Sequence, residues 1–162
     1  IQVDEPVMAR YPDRAVGFGF DMLERVFAGV DQSVTRTLHI CCGYPDRLDT
    51  DDYPKADRAA YRTLLPHVEA SSIDVVSIED AHQPNDTEVF ASLGTTTLAL
   101  GGVNIASSRV EHPTEIVKRI EDVVRVIDPD RVMLAPDCGL GLLPRDVAIA
   151  KLQALRCAAD FF

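Results

Sequence analysis

The decisive stretch of this sequence is TRTLHICC, residues 35–42, which is predicted to form a β-strand. Side chains two positions apart on a strand point to the same face of the sheet. His39 and Cys41 therefore project together, while Ile40 and Cys42 face the other way. An imidazole and a thiolate on one face of a strand provide half of a tetrahedral zinc site.

Two later strand ends supply matching groups. Glu79 and Cys138 each come directly after a predicted apolar strand. Side chains at the carboxyl ends of parallel strands gather at one end of a barrel, where active sites are built. Our interpretation is that Glu79 and Cys138 converge with His39 and Cys41 on one metal ion that activates a thiol, which the spacing alone does not establish.

The rest of the chain alternates between strands and helices. Strands are predicted at residues 1–3, 35–42, 73–78, 95–103 and 131–135. Helices are predicted at residues 20–30, 56–70, 86–93, 113–127 and 144–159, with an irregular segment at 10–19. Such alternation predicts an α/β fold with a parallel sheet and helical crossovers.

Two parallel architectures fit this order, an open doubly wound sheet and a (β/α)8 TIM-type barrel. Polar groups follow nearly every strand, which favours the barrel, because an open sheet concentrates them at one switch point. A barrel needs eight strands and commonly about 250 residues, whereas this chain has 162 residues. We therefore expect residues 1–162 to be the C-terminal portion of one zinc-dependent barrel domain, supplying about its last five βα units.

Composition excludes several classes of function. The net charge of −10 argues against nucleic acid and anionic membrane surfaces as partners. No apolar run approaches the length of a membrane span, and no secretory leader is recognisable. Two of the four cysteines are adjacent, which is unlike a secreted disulfide framework, so a cytoplasmic location is expected. Cys42 and Cys157 are expected to be core residues.

Several separated motifs carry a family resemblance. The chain resembles the C-terminal catalytic barrel of cobalamin-independent methionine synthase and its shorter relatives. The resemblance extends along the whole chain and rests on motifs at residues 1–6 (IQVDEP), 39–41 (HIC), 77–79 (SIE), 102–105 (GVNI) and 136–140 (PDCGL), with Ser107 and Arg109 between the last two.

The resemblance implies a reaction and a set of roles. It implies transfer of a methyl group from methyltetrahydrofolate to the thiol of homocysteine, in methionine biosynthesis. His39, Cys41, Glu79 and Cys138 match the zinc ligands of the family. Asp4 matches the carboxylate that holds the amino group of homocysteine.

One departure from the family concerns proton transfer. The methionine synthases of the family carry a histidine where this chain has Ala106. His82 is the predicted replacement as catalytic proton donor. Arg109 is expected to bind an anionic group of the substrate or to form a surface ion pair. Glu5 is expected to contact substrate or to pair with an arginine. Asp137 is expected to orient the metal-ligating histidine or to cap a turn.

Alternative functions follow from the same residues. The shorter relatives include epoxyalkane:coenzyme M transferases, which attach an epoxide to a zinc-bound thiol. A structural zinc protein without catalysis and a metal-free, decarboxylase-like barrel are alternatives of other classes. In the leading interpretation the partners are a small-molecule thiol and a methyl or alkyl donor. The oligomeric state is left open.

Overall fold

The computed structural model describes residues 1–50 and 52–162. Its centre is a parallel β-sheet in which each strand pairs with the next strand along the chain. Within the described residues the five strands are β1 (Gln2–Asp4), β2 (Thr37–Ile40), β3 (Val75–Ile78), β4 (Thr97–Val103) and β5 (Val132–Pro136). The predicted strands are therefore confirmed, with shorter bounds at several ends.

Helical segments connect the strands. They are α1 (Pro6–Arg10), α2 (Pro12–Arg14), a π-helical turn (Ala15–Gly19), α3 (Phe20–Phe27), α4 (Ala60–Glu69), α5 (Pro113–Val123) and α6 (Arg145–Ala159), with 3₁₀ turns at Thr87–Ser92 and Pro129–Arg131. The predicted start of α5 at Pro113 is confirmed. Ile116, Ile120 and Val123, which lie on one face of this helix, are buried. Proline suits a first helical turn because that turn needs no amide donor.

The order of the strands decides between the two predicted architectures. A doubly wound sheet reverses its strand order at a switch point. In the described part of the chain the order runs from β1 to β5 without reversal, as it does in a barrel. The prediction of barrel connectivity is confirmed.

The two faces of the sheet differ in character. Leu38, Ile40, Val76, Ile78, Leu98 and Leu100 are almost fully buried in the main apolar core. In register across the other face lie Asp4, His39, Ser77, Ala99 and Met133. This second face is concave and lines a cavity of about 730 Å³ that includes Ser77, Ala99 and Met133. Polar side chains of β1, β2 and β3 therefore share the concave face.

A buried ion pair fixes α6 to the loop that precedes α5. Lys151 is fully buried, and its Nζ lies 2.8 Å and 3.1 Å from the two carboxylate oxygens of Glu111. The same ammonium donates to the Arg109 carbonyl oxygen, and Glu111 accepts the backbone N–H of Asn104. The segment that follows β4 is thus tied to the last helix through charged groups.

Cys42 and Cys157 were both predicted to lie in the core, and only Cys42 does. Cys42 is buried in the main core, where burial raises its pKa to about 12, so the prediction is confirmed. Cys157 is exposed on α6, so the prediction of a core position is wrong. The apolar contacts of this helix are made by Ala154, Leu155 and Ala158, which occupy the face turned to the sheet and α5.

Within residues 1–50 and 52–162, no helix has both the length and the apolar character needed to cross a bilayer.

Glu69 at the end of α4 is expected to make stability sensitive to acid. It accepts hydrogen bonds from the N–H of Thr95 and Thr96 and from the Thr95 hydroxyl. Burial raises the pKa of Glu69, but these hydrogen bonds outweigh burial and lower it to about 2. A depressed carboxyl pKa gives stability that is present above the unfolded value, near 4.5, and lost as pH falls towards 2. Between pH 6 and pH 2, the free energy of unfolding should therefore fall less steeply for Glu69→Gln than for the wild type. Denaturant titrations at each pH measure this. An unchanged slope would contradict this assignment.

Candidate metal centre

Three of the predicted ligands meet at the carboxyl ends of the strands. One ligand atom each of His39, Cys41 and Cys138 lies within 4.8 Å of the others. His39 lies on β2 and Cys41 directly follows that strand, while Cys138 follows β5. The alternation of side chains along β2 therefore places imidazole and thiol together, as predicted.

The His39 imidazole is held by a neighbouring strand. Ser77 lies beside His39 in the register of β2 and β3, and its hydroxyl is 2.9 Å from His39 Nδ1. The other ring nitrogen, Nε2, is buried and has no hydrogen-bond partner among the described residues. Metal-ligating histidines commonly use one ring nitrogen for such a partner and the other for the ion. The donor set of one imidazole and two thiols suits Zn²⁺.

The cluster favours one thiolate. The neighbouring Cys41 thiol lowers the pKa of Cys138, and His39 lowers it further. The same contact with Cys138, together with burial, raises the pKa of Cys41. Burial lowers the pKa of His39, but the charge of the neighbouring Cys138 thiolate outweighs burial and raises it. A thiolate is the form of cysteine that binds metal.

The side chain of Glu79 does not join the other three predicted ligands. Its Oε1 lies 2.7 Å from Lys55 Nζ, and its Oε2 accepts the backbone N–H of Cys42 at 3.3 Å. It does not belong to the group of three described ligands that lie within 4.8 Å of one another. Burial lowers the pKa of Lys55, but Glu79 outweighs it and raises the pKa, so the ammonium stays charged. The four-ligand arrangement is therefore replaced by three clustered ligands and an adjacent ion pair.

The predicted substrate-binding residues lie in different places. Asp4 is in register with His39 on the concave face, and its Oδ1 accepts a hydrogen bond from Gln2. Glu5 instead lines the outer groove formed with α1 and α3. Arg109 forms an exposed ion pair with Glu115 at 2.9 Å. Of the three, the structure brings only Asp4 to the face that carries the metal ligands.

His82 lies in the loop that follows β3. Its ring meets the Tyr53 ring edge-on, with centroids 5.6 Å apart. Its Nδ1 is buried and has no hydrogen-bond partner within the described part of the chain. Its backbone N–H donates to Asp137 Oδ2 at 2.7 Å. The ring is therefore held in place by its surroundings, and its catalytic role stays a prediction.

Asp137 holds this loop instead of orienting His39. It accepts three backbone hydrogen bonds of 2.7–2.8 Å, from Asp80, Ala81 and His82. Burial raises the pKa of Asp137 to about 7, against the lowering effect of those three bonds. A side chain at Gly101 would overlap the Asp137 carboxylate, so glycine is required there by close approach. The expectation that Asp137 orients the histidine is corrected: Ser77 has that position.

Two residues that contact predicted ligands, Ser77 and Lys55, were not predicted from the sequence. Ser77 stands two residues before Glu79, as His39 stands two before Cys41, so strand alternation contained a signal for it. Lys55 gave no such signal, because it comes from a long loop whose path depends on tertiary contacts.

Removing the Ser77 hydroxyl should weaken metal binding. In Ser77→Ala the imidazole of His39 loses the partner of Nδ1, and loss of such a partner typically weakens metal affinity about 10- to 100-fold. Competition with a chromophoric chelator measures the effect. Ser92→Ala is a suitable control, because the Ser92 hydroxyl only donates to the Val89 carbonyl. Equal zinc affinity in both variants would contradict the role of Ser77.

The geometry and the comparisons together define the protein class. The fold is a barrel-type α/β sheet with an imidazole–dithiol cluster at its strand ends. Residues 57–160 match the catalytic domain of cobalamin-independent synthases. The match covers well over half of the chain, and the chain belongs to that family.

Individual relatives agree with this assignment. A methionine synthase from Thermococcus kodakarensis is 31% identical over 153 residues, which cover 94% of this chain and 40% of that protein. One from Thermoplasma volcanium is 28% identical over 168 residues, covering 99% of this chain and 47% of that protein. This chain therefore spans less than half the length of these relatives.

Solved structures support the fold. A B12-independent methionine synthase from Shewanella sp. W3-18-1, in complex with selenomethionine, superposes with a TM-score of 0.86 at 24% identity, over 99% of this chain and 47% of that one. A putative vitamin-B12-independent methionine synthase from Listeria monocytogenes gives a TM-score of 0.71 at 16% identity, over 99% and 48%. The predicted (β/α)8 TIM-type fold class is confirmed, with this chain forming part of it.

Proposed function

We propose that this chain carries the thiol-activating part of a methionine synthase, which transfers a methyl group to the sulfur of homocysteine. The observation that carries the proposal is the cluster of His39, Cys41 and Cys138 at the strand ends. Relatives named methionine synthase across 94% or more of this chain support the choice of reaction. The Shewanella complex with selenomethionine, a selenium analogue of methionine, agrees with a methionine-type product.

The proposed metal is zinc, held by His39, Cys41 and Cys138. When bound, zinc lowers the pKa of a coordinated thiol and keeps its sulfur available for attack on carbon. Structural zinc sites are usually closed by four protein ligands, whereas catalytic sites keep an exchangeable position. A cluster of three ligands with Glu79 beside it supports the catalytic interpretation over the structural one.

The residues of the chain have distinct tasks in this proposal. Ser77 orients the imidazole of His39 through its 2.9 Å contact. Asp4, in register with His39 on the concave face, binds the ammonium group of homocysteine. Glu79 is the movable fourth ligand, because it is the sole oxygen donor of the predicted four. Burial of His39 and Cys41 limits the access of water to the reacting sulfur.

The methyl donor is proposed to be methyltetrahydrofolate, with His82 supplying the proton that the buried Ala106 cannot give. Opening of an epoxide by a sulfonate thiol is less well supported. An anionic thiol needs a cationic partner, and the guanidinium of Arg109 is already paired with Glu115 on the surface. The amine-binding position of Asp4 fits an amino-acid thiol better.

The domain organisation is also part of the proposal. The strands β1 and β5 each pair on one side only within the described sheet. Beside β1 runs an apolar groove of about 410 Å³, and its lining includes the exposed side chains of Tyr11, Phe18 and Val26. Further βα units pairing with β1 and β5 would close the barrel and cover this groove. In this proposal the chain is the C-terminal portion of the domain, in a cytoplasmic enzyme.

The test is a methyl-transfer assay on the complete enzyme of which this chain is proposed to be a portion, loaded with zinc. L-homocysteine is supplied with methyltetrahydrofolate, and separately a small sulfonate thiol is supplied with a small epoxide. Loss of free thiol is followed together with methionine formation. Methionine formed only with the methyl donor supports the proposal. Thiol loss only with the epoxide selects the alkyltransferase, and zinc binding without either reaction selects a structural zinc protein.

A further inference from the structure

The Glu79 carboxylate already has two partners outside the metal cluster. Its Oε1 pairs with Lys55 Nζ at 2.7 Å, and its Oε2 accepts the N–H of Cys42 at 3.3 Å. The side chains of Lys55 and Glu79 are only 17% and 6% exposed. Cys42 directly follows Cys41, so this carboxylate position lies next to the cluster. The ion pair is therefore a built, nearly buried site for Glu79.

Lys55 is held in place by its neighbours. The next residue, Ala56, donates its N–H to the Cys42 carbonyl oxygen at 2.7 Å. The Lys55 ammonium also lies 5.3 Å from the centroid of the Tyr53 ring, within range of a cation–π contact. Its backbone is thus anchored to the same Cys41–Cys42 segment that carries a metal ligand.

We propose that Lys55 is a positioning residue that receives the Glu79 carboxylate whenever a substrate thiol takes the place of that carboxylate at the cluster. This inference rests on the proposed function, because it needs an ion held by His39, Cys41 and Cys138. A carboxylate that leaves a cation inside a protein needs another positive partner, since an unpaired buried charge is strongly unfavourable. Lys55 supplies that partner and lowers the cost of ligand exchange.

The test measures thiol binding without turnover. The full chain is loaded with Co²⁺ in place of zinc, and L-homocysteine is titrated while the thiolate-to-cobalt charge-transfer absorption is recorded. Lys55→Met keeps the apolar stem and removes the charge, so displaced Glu79 would be left unpaired. The apparent Kd for homocysteine should rise about tenfold or more, while affinity for Co²⁺ is retained or increased.

Lys118→Met is the matched control, because it removes the same charge from an exposed position on α5. Its Kd for homocysteine should equal that of the wild type. In a Glu79→Gln background, Lys55→Met should have no further effect, because no carboxylate remains to be received. The role of Lys55 would be overturned by an unchanged Kd in Lys55→Met. It would also be overturned if Lys55→Met caused the same loss with and without the Glu79→Gln substitution.

A structure of the metal-loaded wild type with homocysteine is a second test that does not depend on the folding of a variant. Contact between Glu79 and Lys55 supports the proposal, and Glu79 on the metal or turned to solvent overturns it. Failure of the wild type to bind Co²⁺ or Zn²⁺ at all would instead defeat the proposed metal centre. The two kinds of failure are therefore distinguishable.

Discussion

Replacing Cys138 by serine should abolish zinc binding at the proposed centre and, with it, the proposed methyl transfer. Cys138 is one of the three clustered ligands, and the neighbouring Cys41 thiol and His39 imidazole lower its pKa. A serine hydroxyl in its place stays protonated and is a poor ligand for zinc. Because metal binding requires deprotonated ligands, zinc per chain should fall from about one to below about a tenth. Metal analysis after dialysis measures the change.

Cys157→Ser provides the matched control. Cys157 is exposed on α6, outside the cluster of His39, Cys41 and Cys138. Its replacement should leave both zinc content and thermal stability unchanged. Stoichiometric zinc in Cys138→Ser, or equal loss in both variants, would show that the ion is not held by the proposed cluster.

Replacing Lys151 by methionine should cause the largest loss of stability. The Lys151 ammonium is fully buried and bonds both oxygens of Glu111, which is itself 7% exposed. Removing one partner of such a pair leaves an uncompensated charge and typically costs about 3–5 kcal/mol. The free energy of unfolding in urea should fall by that amount.

Two further variants separate the ion pair from other effects of the substitution. Lys118→Met, on the exposed face of α5, should change the free energy of unfolding by no more than about 0.5 kcal/mol. Lys151→Met combined with Glu111→Gln should recover part of the loss, because no charge is then buried alone. If the double variant is no more stable than Lys151→Met, the loss comes from packing and not from the charge.

Strand alternation accounts for most of what the sequence predicted correctly about the site. His39 and Cys41 meet because they are two residues apart at the end of β2, and Cys138 joins them because parallel strands end together. These relations depend only on local geometry and sheet direction, which the pattern of apolar residues contains.

What could not be predicted depends on partners distant in the chain. Glu79 follows β3 as expected, but its side chain is directed by Lys55, which comes from the loop between β2 and α4. Of the two alternatives predicted for Arg109, the structure shows the surface ion pair. Glu5 lies in the outer groove, on the opposite side from its neighbour Asp4. Loop positions and the choice between two charged partners are set by tertiary packing, which spacing does not encode.

The close approach at Gly101 has a consequence for how this sequence can change. The Asp137 carboxylate occupies the space that a methyl group at position 101 would need, and three amides of the loop after β3 depend on that carboxylate. An alanine at position 101 would also meet the backbone of Ile78 and Asp80 at 2.9 Å, so retreat of residue 137 alone would not make room for it. Divergent descendants of this chain should therefore keep glycine at position 101 even where residue 137 changes.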